Sequence, residues 1–230
     1  ADNPPIRKYC GEVFAMYVRK EMVIGVKSFQ NEVCVLYLIV KLFSHPHPLT
    51  SELRTELLGL VKQMQIFRKH WETDIDKILE FLEYNIEFLY FIARDPASLA
   101  CAKLAALRAK TYHGQFAEGI SIGLFFHGPF QIFEREGVHH QGAILLVGNR
   151  HLEQTRDQTM LIRLVSLIRE RAGKVMILSN NPKLQAWFDD DPKILIIEFH
   201  STIEEFAPIF ENFILALVFL KIAKRENLLQ

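Results

Sequence analysis

Ala143-Ile-Leu-Leu-Val-Gly148 and Lys174-Val-Met-Ile-Leu-Ser179 are two short runs in which apolar residues succeed one another without alternation. A strand made from either is buried on both faces. Between them Leu161, Leu164, Val165 and Ile168 return at helical spacing, and Gly173 closes the stretch. Strand, helix and strand of this composition predict a parallel crossover. Two further runs, Ile86 to Ala93 and Ile194 to Phe199, extend the same pattern outward, and Asp95-Pro96 supplies a helix cap and a first helical residue after the earlier one. The expected architecture is an α/β lobe with a doubly wound parallel sheet and flanking helices. Such sheets take ligands beyond the carboxyl ends of their strands.

Toward the amino terminus the pattern becomes helical. Ser28 to Phe43 predicts a helix that is apolar almost all round and therefore needs cover on most sides. Ser44 to Leu49, with two prolines, reads as a loop. Thr50 or Ser51 can cap a helix whose Leu53, Leu57, Leu60, Val61 and Met64 share a face, and Ile75, Ile78, Leu79 and Leu82 repeat the rhythm in a further helix. Val13 to Val18 would make one strand.

Half of the 230 residues are hydrophobic, enough for one large core or one and a half small ones. The 27 basic residues balance the 27 acidic ones, so no net field favours a polyanion and nucleic acid is not an expected partner. Cys10, Cys34 and Cys101 are odd in number and widely spaced, which suits thiols in a reducing compartment, so the expected location is cytoplasmic. Val33 to Phe43 and Phe213 to Ala223 are each broken by a lysine and fall short of the ~20 residues of a membrane span. They read as buried core helices, with no membrane partner and no leader expected. No P-loop, G-x-G-x-x-G or G-x-S-x-G motif occurs, so no cofactor is expected. His45 with His47, and His139 beside His140, have no cysteine or carboxylate at ligand spacing, so no metal is expected either.

One stretch carries a more specific signal. Ala117-Glu118 followed by Gly123-Leu-Phe-Phe-His127-Gly-Pro-Phe-Gln-Ile-Phe133 resembles a segment of the isomerase domain of glucosamine-6-phosphate synthase, and its Phe-His-Gly-Pro-Phe wording is similar to the fructosamine-phosphate deglycases. Both belong to the sugar isomerase (SIS) family. Gly142 to Gly148 and the helix with Thr155 and Arg156 resemble the next strand and helix of those enzymes, while Arg19-Lys20-Glu21, Val26-Lys27-Ser28-Phe29 and Asn3-Pro4-Pro5-Ile6 resemble the end of the family's first lobe.

The resemblance implies a two-lobed organisation, with residues 1–49 ending a first SIS lobe, 50–84 forming interlobe helices and 85–230 a second SIS lobe. It implies a homodimer that binds a phosphorylated sugar and moves a proton between adjacent sugar carbons, or deglycates. His127 would open the sugar ring, acting in the partner subunit's site, with Glu118 beside it and Lys27 and Ser28 near the sugar. The family's carboxylate base corresponds, counting back without gaps from His127, to Thr111, whose hydroxyl is no general base near neutral pH. His113 stands two residues away. The serine- and threonine-rich phosphate loops have no counterpart in these residues, and no P-R-x-L-x-K segment comes after Lys224. Two expectations therefore stand: a sugar-phosphate isomerase or deglycase, or a catalytically degenerate binding or assembly module of the same descent.

Overall fold

Five strands form one parallel sheet in the order β2-β1-β3-β4-β5. They are β1 (Phe88–Ala93), β2 (Phe116–Ser121), β3 (Gln141–Val147), β4 (Lys174–Ser179) and β5 (Ile194–Glu198). The computed structural model describes residues 26–43, 50–82, 88–134, 141–147, 155–170, 173–188, 191–201 and 203–226. The strand expected at 13–18, the loop 44–49, Cys10, the two histidine pairs and the amino-terminal segments compared with a first lobe up to residue 25 lie outside these residues.

In register, Tyr90 of β1 stands opposite Glu118 of β2 and Ala143 of β3. The chain winds one way from β1 to β2 and the other way from β3 to β5, so the reversal falls between β1 and β3. Successive side chains go to opposite faces. Leu89, Phe91, Ile144 and Met176 enter one core cluster, and Tyr90, Ile92, Leu145 and Ile177 enter the other. Both faces are dry, which is why the strands show no polar alternation.

Helices α1 (Val26–Leu42), α2 (Ser51–Leu82), α3 (Pro96–His113) and α7 (Ala207–Arg225) cover the first face. The second is covered by α4 (Ile122–Phe126), α5 (Thr155–Glu170) and α6 (Leu184–Trp187). Their starts are set locally. The Asp95 carboxylate accepts the Ser98 N–H at 2.7 Å, and Thr50 Oγ1 accepts the Leu53 N–H at 3.2 Å. At its far end α3 stops on Gly114, whose φ of 61° suits glycine.

Two expectations change. The helices expected around Leu53 to Met64 and Ile75 to Leu82 are a single helix, α2, of 32 residues. From Leu60 to Leu82 there is neither glycine nor proline, so nothing interrupts the hydrogen-bond ladder. Helix α1 is not covered on most sides. Phe29, Val33, Tyr37 and Leu38 pack onto the core, whereas Leu36, Val40 and Phe43 are 62%, 65% and 89% exposed. This helix lies against α7 and the 3-10 turn Glu204–Phe206, so one stripe is packed and the opposite stripe faces outward.

Helix α7 is the central helix of the first face. Together with the 3-10 turn before it, as Glu204–Arg225, it is long and apolar enough to cross a membrane by length and composition, yet 78% of its apolar window is buried inside the protein. Phe91 and Phe219 meet across its seam with the sheet at 6.2 Å between ring centroids. Helix α2 is fastened at a distance in sequence. Gln63 donates to the His200 carbonyl at 2.6 Å and accepts the His200 N–H at 2.8 Å, while Ser201 Oγ donates to Glu56 at 2.8 Å.

Polar groups also sit between α3 and α7. Ser98 Oγ donates to Glu211 Oε1 at 3.1 Å, and Arg108 Nη1 donates to Asn212 Oδ1 at 2.7 Å, with all four side chains buried. Glu211 Oε2 and Asp95 Oδ2 are buried and find no hydrogen-bond partner among the described residues. Burial, with the charges of Asp95 and Glu204 added, pushes the Glu211 carboxyl well above the usual carboxylate range, against the opposing pull of its Ser98 hydrogen bond. Burial thus favours the neutral form of Glu211.

A Cβ on Gly119 would stand 2.5 Å from the backbone N and Cα of Lys103 on α3. Gly119→Ala should cost about 1–3 kcal/mol because backbone, rather than a flexible side chain, must move; a urea titration should show a lower midpoint at unchanged slope. For Glu211, both folded and unfolded chains hold the proton below the unfolded value of 4.5. Above it the unfolded chain releases the proton first, so stability falls as pH rises toward the folded value. Melting curves from pH 5 to 8 should show this decline, and Glu211→Gln should flatten it; an unchanged slope in the variant would place the dependence on another group.

Candidate functional site

His127 is set at the carboxyl end of β2. The strand ends at Ser121, whose Oγ accepts the Leu124 N–H at 3.3 Å and starts the single-turn helix α4. Phe125 has no exposed surface and packs against Tyr90 at 5.2 Å between centroids, and Phe126 meets Phe130 at 6.2 Å. These rings anchor the turn from below. The His127 backbone N–H then donates to the Leu124 carbonyl at 3.0 Å, and the His127 side chain is exposed. Pro129 opens a 3-10 turn, Pro129–Glu134. The aromatic wording around His-Gly-Pro thus holds an imidazole out to solvent on a fixed corner.

Glu118 lies in β2 on the same sheet face as Phe125, opposite Tyr90 and partly buried. Burial raises the Tyr90 hydroxyl above its ordinary value, and the Glu118 charge raises it further. A neutral phenol beside a carboxylate is an arrangement that can hold or pass a proton.

Thr111 is elsewhere. It sits in the last turn of α3, exposed, with its hydroxyl donated to the Leu107 carbonyl at 2.9 Å. Helix α3 covers the opposite face from α4 and runs back against the strand direction, so Thr111 lies at the amino end of the sheet and His127 at the carboxyl end. A strand of six residues spans about 20 Å. Within one chain these two residues are separated by the thickness of the sheet and by its length. Lys27 and Ser28 fall in the first turn of α1, on the same sheet face as Thr111 but toward its other end. Gln30 donates to the Ile209 carbonyl at 3.5 Å in the first turn of α7, whereas His113, next but one to Thr111, meets Glu226 past the end of α7. The side chains of Lys27 and Ser28 are outside the described residues.

His113 ends α3, and its Nδ1 is in hydrogen-bond contact with Glu226 just past α7. With Gln115 it forms the polar margin of a pocket of about 440 Å³ lined by Leu79, Leu82, Leu215 and Phe219. Lys224 stands 3.8 Å from Glu72 and 4.9 Å from the ring centroid of Trp71, a contact that secures α7 to α2. Among the described residues, no three His, Cys, Asp or Glu side chains converge as metal ligands would.

A second pocket, of about 370 Å³, lies at the reversal between β1 and β3. Arg94, immediately after β1, pairs there with Asp157 in the first turn of α5. Sequence reasoning passed over this pair. Its signals were an arginine directly after a strand and a carboxylate three residues into a helix, where the helix dipole favours negative charge.

No family model matches the chain, and no curated protein matches its sequence. Solved structures do match. The C-terminal domain of glucosamine-fructose-6-phosphate aminotransferase from Francisella tularensis superposes with a TM-score of 0.62 at 19% identity, over 87% of this chain and 54% of that one. A candidate tagatose-6-phosphate ketose/aldose isomerase from Clostridium novyi gives 0.60 at 14% identity, over 87% and 48%. An Escherichia coli CFT073 protein in complex with A5P gives 0.52 at 14% identity, over 77% and 90%. The chain spans about half the length of the first two. At these identities the likeness is one of architecture: the described lobe has the fold of sugar isomerase (SIS) proteins.

Proposed function

We propose that this protein binds a phosphorylated sugar and acts on it as a homodimer, by aldose-ketose isomerisation or fructosamine-phosphate deglycation. The observation that carries the reading is an exposed His127, fixed on the His-Gly-Pro corner of an SIS-type lobe. An imidazole, with one nitrogen that accepts and one that donates, can take a proton from one sugar oxygen and return it to another. Glu118, beside Tyr90, would orient that chemistry. Lys27 and Ser28 would approach the sugar from the first face of the sheet, and Thr111 from the far end of that face. Because the thickness and length of the sheet separate Thr111 from His127 in one chain, a site using both draws one of them from a second copy. The division at residues 49 and 84 and a cytoplasmic location belong to the same reading, the latter supported by Cys34 and Cys101 as free thiols.

One observation favours a second reading. The Thr111 hydroxyl is turned back onto its own helix, and no carboxylate replaces it at that position. On this reading the protein is a binding or assembly module that holds a sugar phosphate without turning it over.

Incubation with fructose 6-phosphate in heavy water separates the two. Under the first reading deuterium appears at carbon 1 or 2, and His127→Ala lowers the exchange rate about 100-fold or more. Binding without exchange in the native protein would sink the enzyme reading. Thr111→Glu is then the variant in which exchange should first appear. No measurable binding of fructose 6-phosphate or related hexose phosphates by calorimetry would overturn both.

A further inference from the structure

We infer that Asp95, Ser98 and Glu211 form a proton-operated catch on the seam between α3 and α7: the seam is shut while Glu211 carries a proton and opens locally when rising pH removes it.

The catch is built on one residue. Ser98 donates its backbone N–H to Asp95 Oδ1 at 2.7 Å and its hydroxyl to Glu211 Oε1 at 3.1 Å. It therefore holds one oxygen of each carboxyl and draws the two together at the amino ends of α3 and α7. Their second oxygens, Asp95 Oδ2 and Glu211 Oε2, are buried and meet no donor among the described residues. Two carboxylates gripped by one serine in a dry seam are not both ionised unless a cation joins them. Keeping one of them neutral is the remaining solution. Asp95 caps α3, a place that favours a carboxylate. Glu211 has no exposed surface, and burial pushes its carboxyl well above the usual range, so it is the member that keeps the proton.

The surroundings supply no countercharge among the described residues. The charges that act on Glu211 are those of Asp95 and of Glu204 in the 3-10 turn, both negative. Helix α3 also brings Cys101 and Arg108, and the Arg108 guanidinium donates to Asn212 Oδ1 at 2.7 Å. At this level of α7, α2 offers the Phe67 ring to Phe210 and Phe213, α1 offers the Tyr37 ring to Phe206 and its Gln30 amide to the Ile209 carbonyl, and the sheet offers Phe91. The ion pairs of α2 with α7, Asp76 with Lys221 and Arg225 and Glu72 with Lys224, lie about 15 Å further along the helix. Loss of the proton leaves two like charges facing each other where screening is weak. The first turns of α7 then give way before the whole fold does.

Cys101 reports the opening. It lies one turn past Ser98 on α3, has no exposed surface, and has its thiol pushed up by burial and then by the Glu211 charge. The full chain is labelled with iodoacetamide from pH 5 to 9, and peptide mass resolves Cys101 from Cys10 and Cys34. Its rate is divided by that of the same thiol in the denatured chain. This ratio should rise with pH by up to about ten-fold per unit, then level off once the closed seam also loses the proton. Glu211→Gln should remove the rise, and Asp95→Asn should end it at lower pH, because the charge that holds the proton on Glu211 is gone. If Glu211→Gln does not fold, Asp95→Asn carries the test, read also by the infrared band of a protonated carboxyl, which should disappear at lower pH than in the native chain. Low urea should leave the ratio unchanged, since a local opening exposes little surface. A flat native ratio, a rise that persists in Glu211→Gln, an Asp95→Asn profile identical to the native one, or a steep urea dependence would overturn the inference.

Discussion

The contact between Phe91 and Phe219, ring against ring across the seam of sheet and α7, marks the constraint on which the other features depend. A parallel sheet needs crossover connections, and crossovers lay helices on both faces. Once α1, α2, α3 and α7 occupy one face and α4, α5 and α6 the other, each chemically suggestive residue inherits an address. His127 and Glu118 go with the α4 side and Thr111 with the α3 side. Their distance is a property of topology and no local adjustment removes it.

The same constraint explains the polar groups under α7. A helix fully buried along most of its length has no solvent to accept stray side chains, yet it carries Glu211 and Asn212 at its inner surface. Ser98 and Arg108 on α3 answer them. Apolar surfaces slide; these paired groups fix the register of α3 against α7. The Asp95 and Glu211 oxygens that find no partner among the described residues are the cost of that specificity.

Much of the sheet was legible because buried strands write themselves as apolar runs: Lys174–Ser179 has the same bounds in sequence and structure. Edge strand β2 was not legible as a strand. Phe116-Ala-Glu-Gly-Ile-Ser mixes a carboxylate, a glycine and a serine, and its Gly119 is chosen by the close approach of α3, a tertiary fact. The continuity of α2 lies in Phe67 and Trp71, which carry the stripe from Met64 to Ile75 and pack against the core, and the two expected helices left both residues out. For the site, the motif around His127 pointed to a position and the structure showed its exposure. The direction of the Thr111 hydroxyl and the Arg94–Asp157 pair depend on neighbours that spacing alone does not reveal.

The fastening of α2 has a consequence for how the chain is made. Gln63 holds the backbone of His200, 137 residues later. During synthesis α2 emerges while β4, β5 and α7, the surfaces that receive Leu60, Ile75 and Leu79, have not yet been translated. A 32-residue helix can form early on local contacts, but its apolar stripe stays uncovered until α7 has been translated. Until then the stripe is open to association with other apolar surfaces.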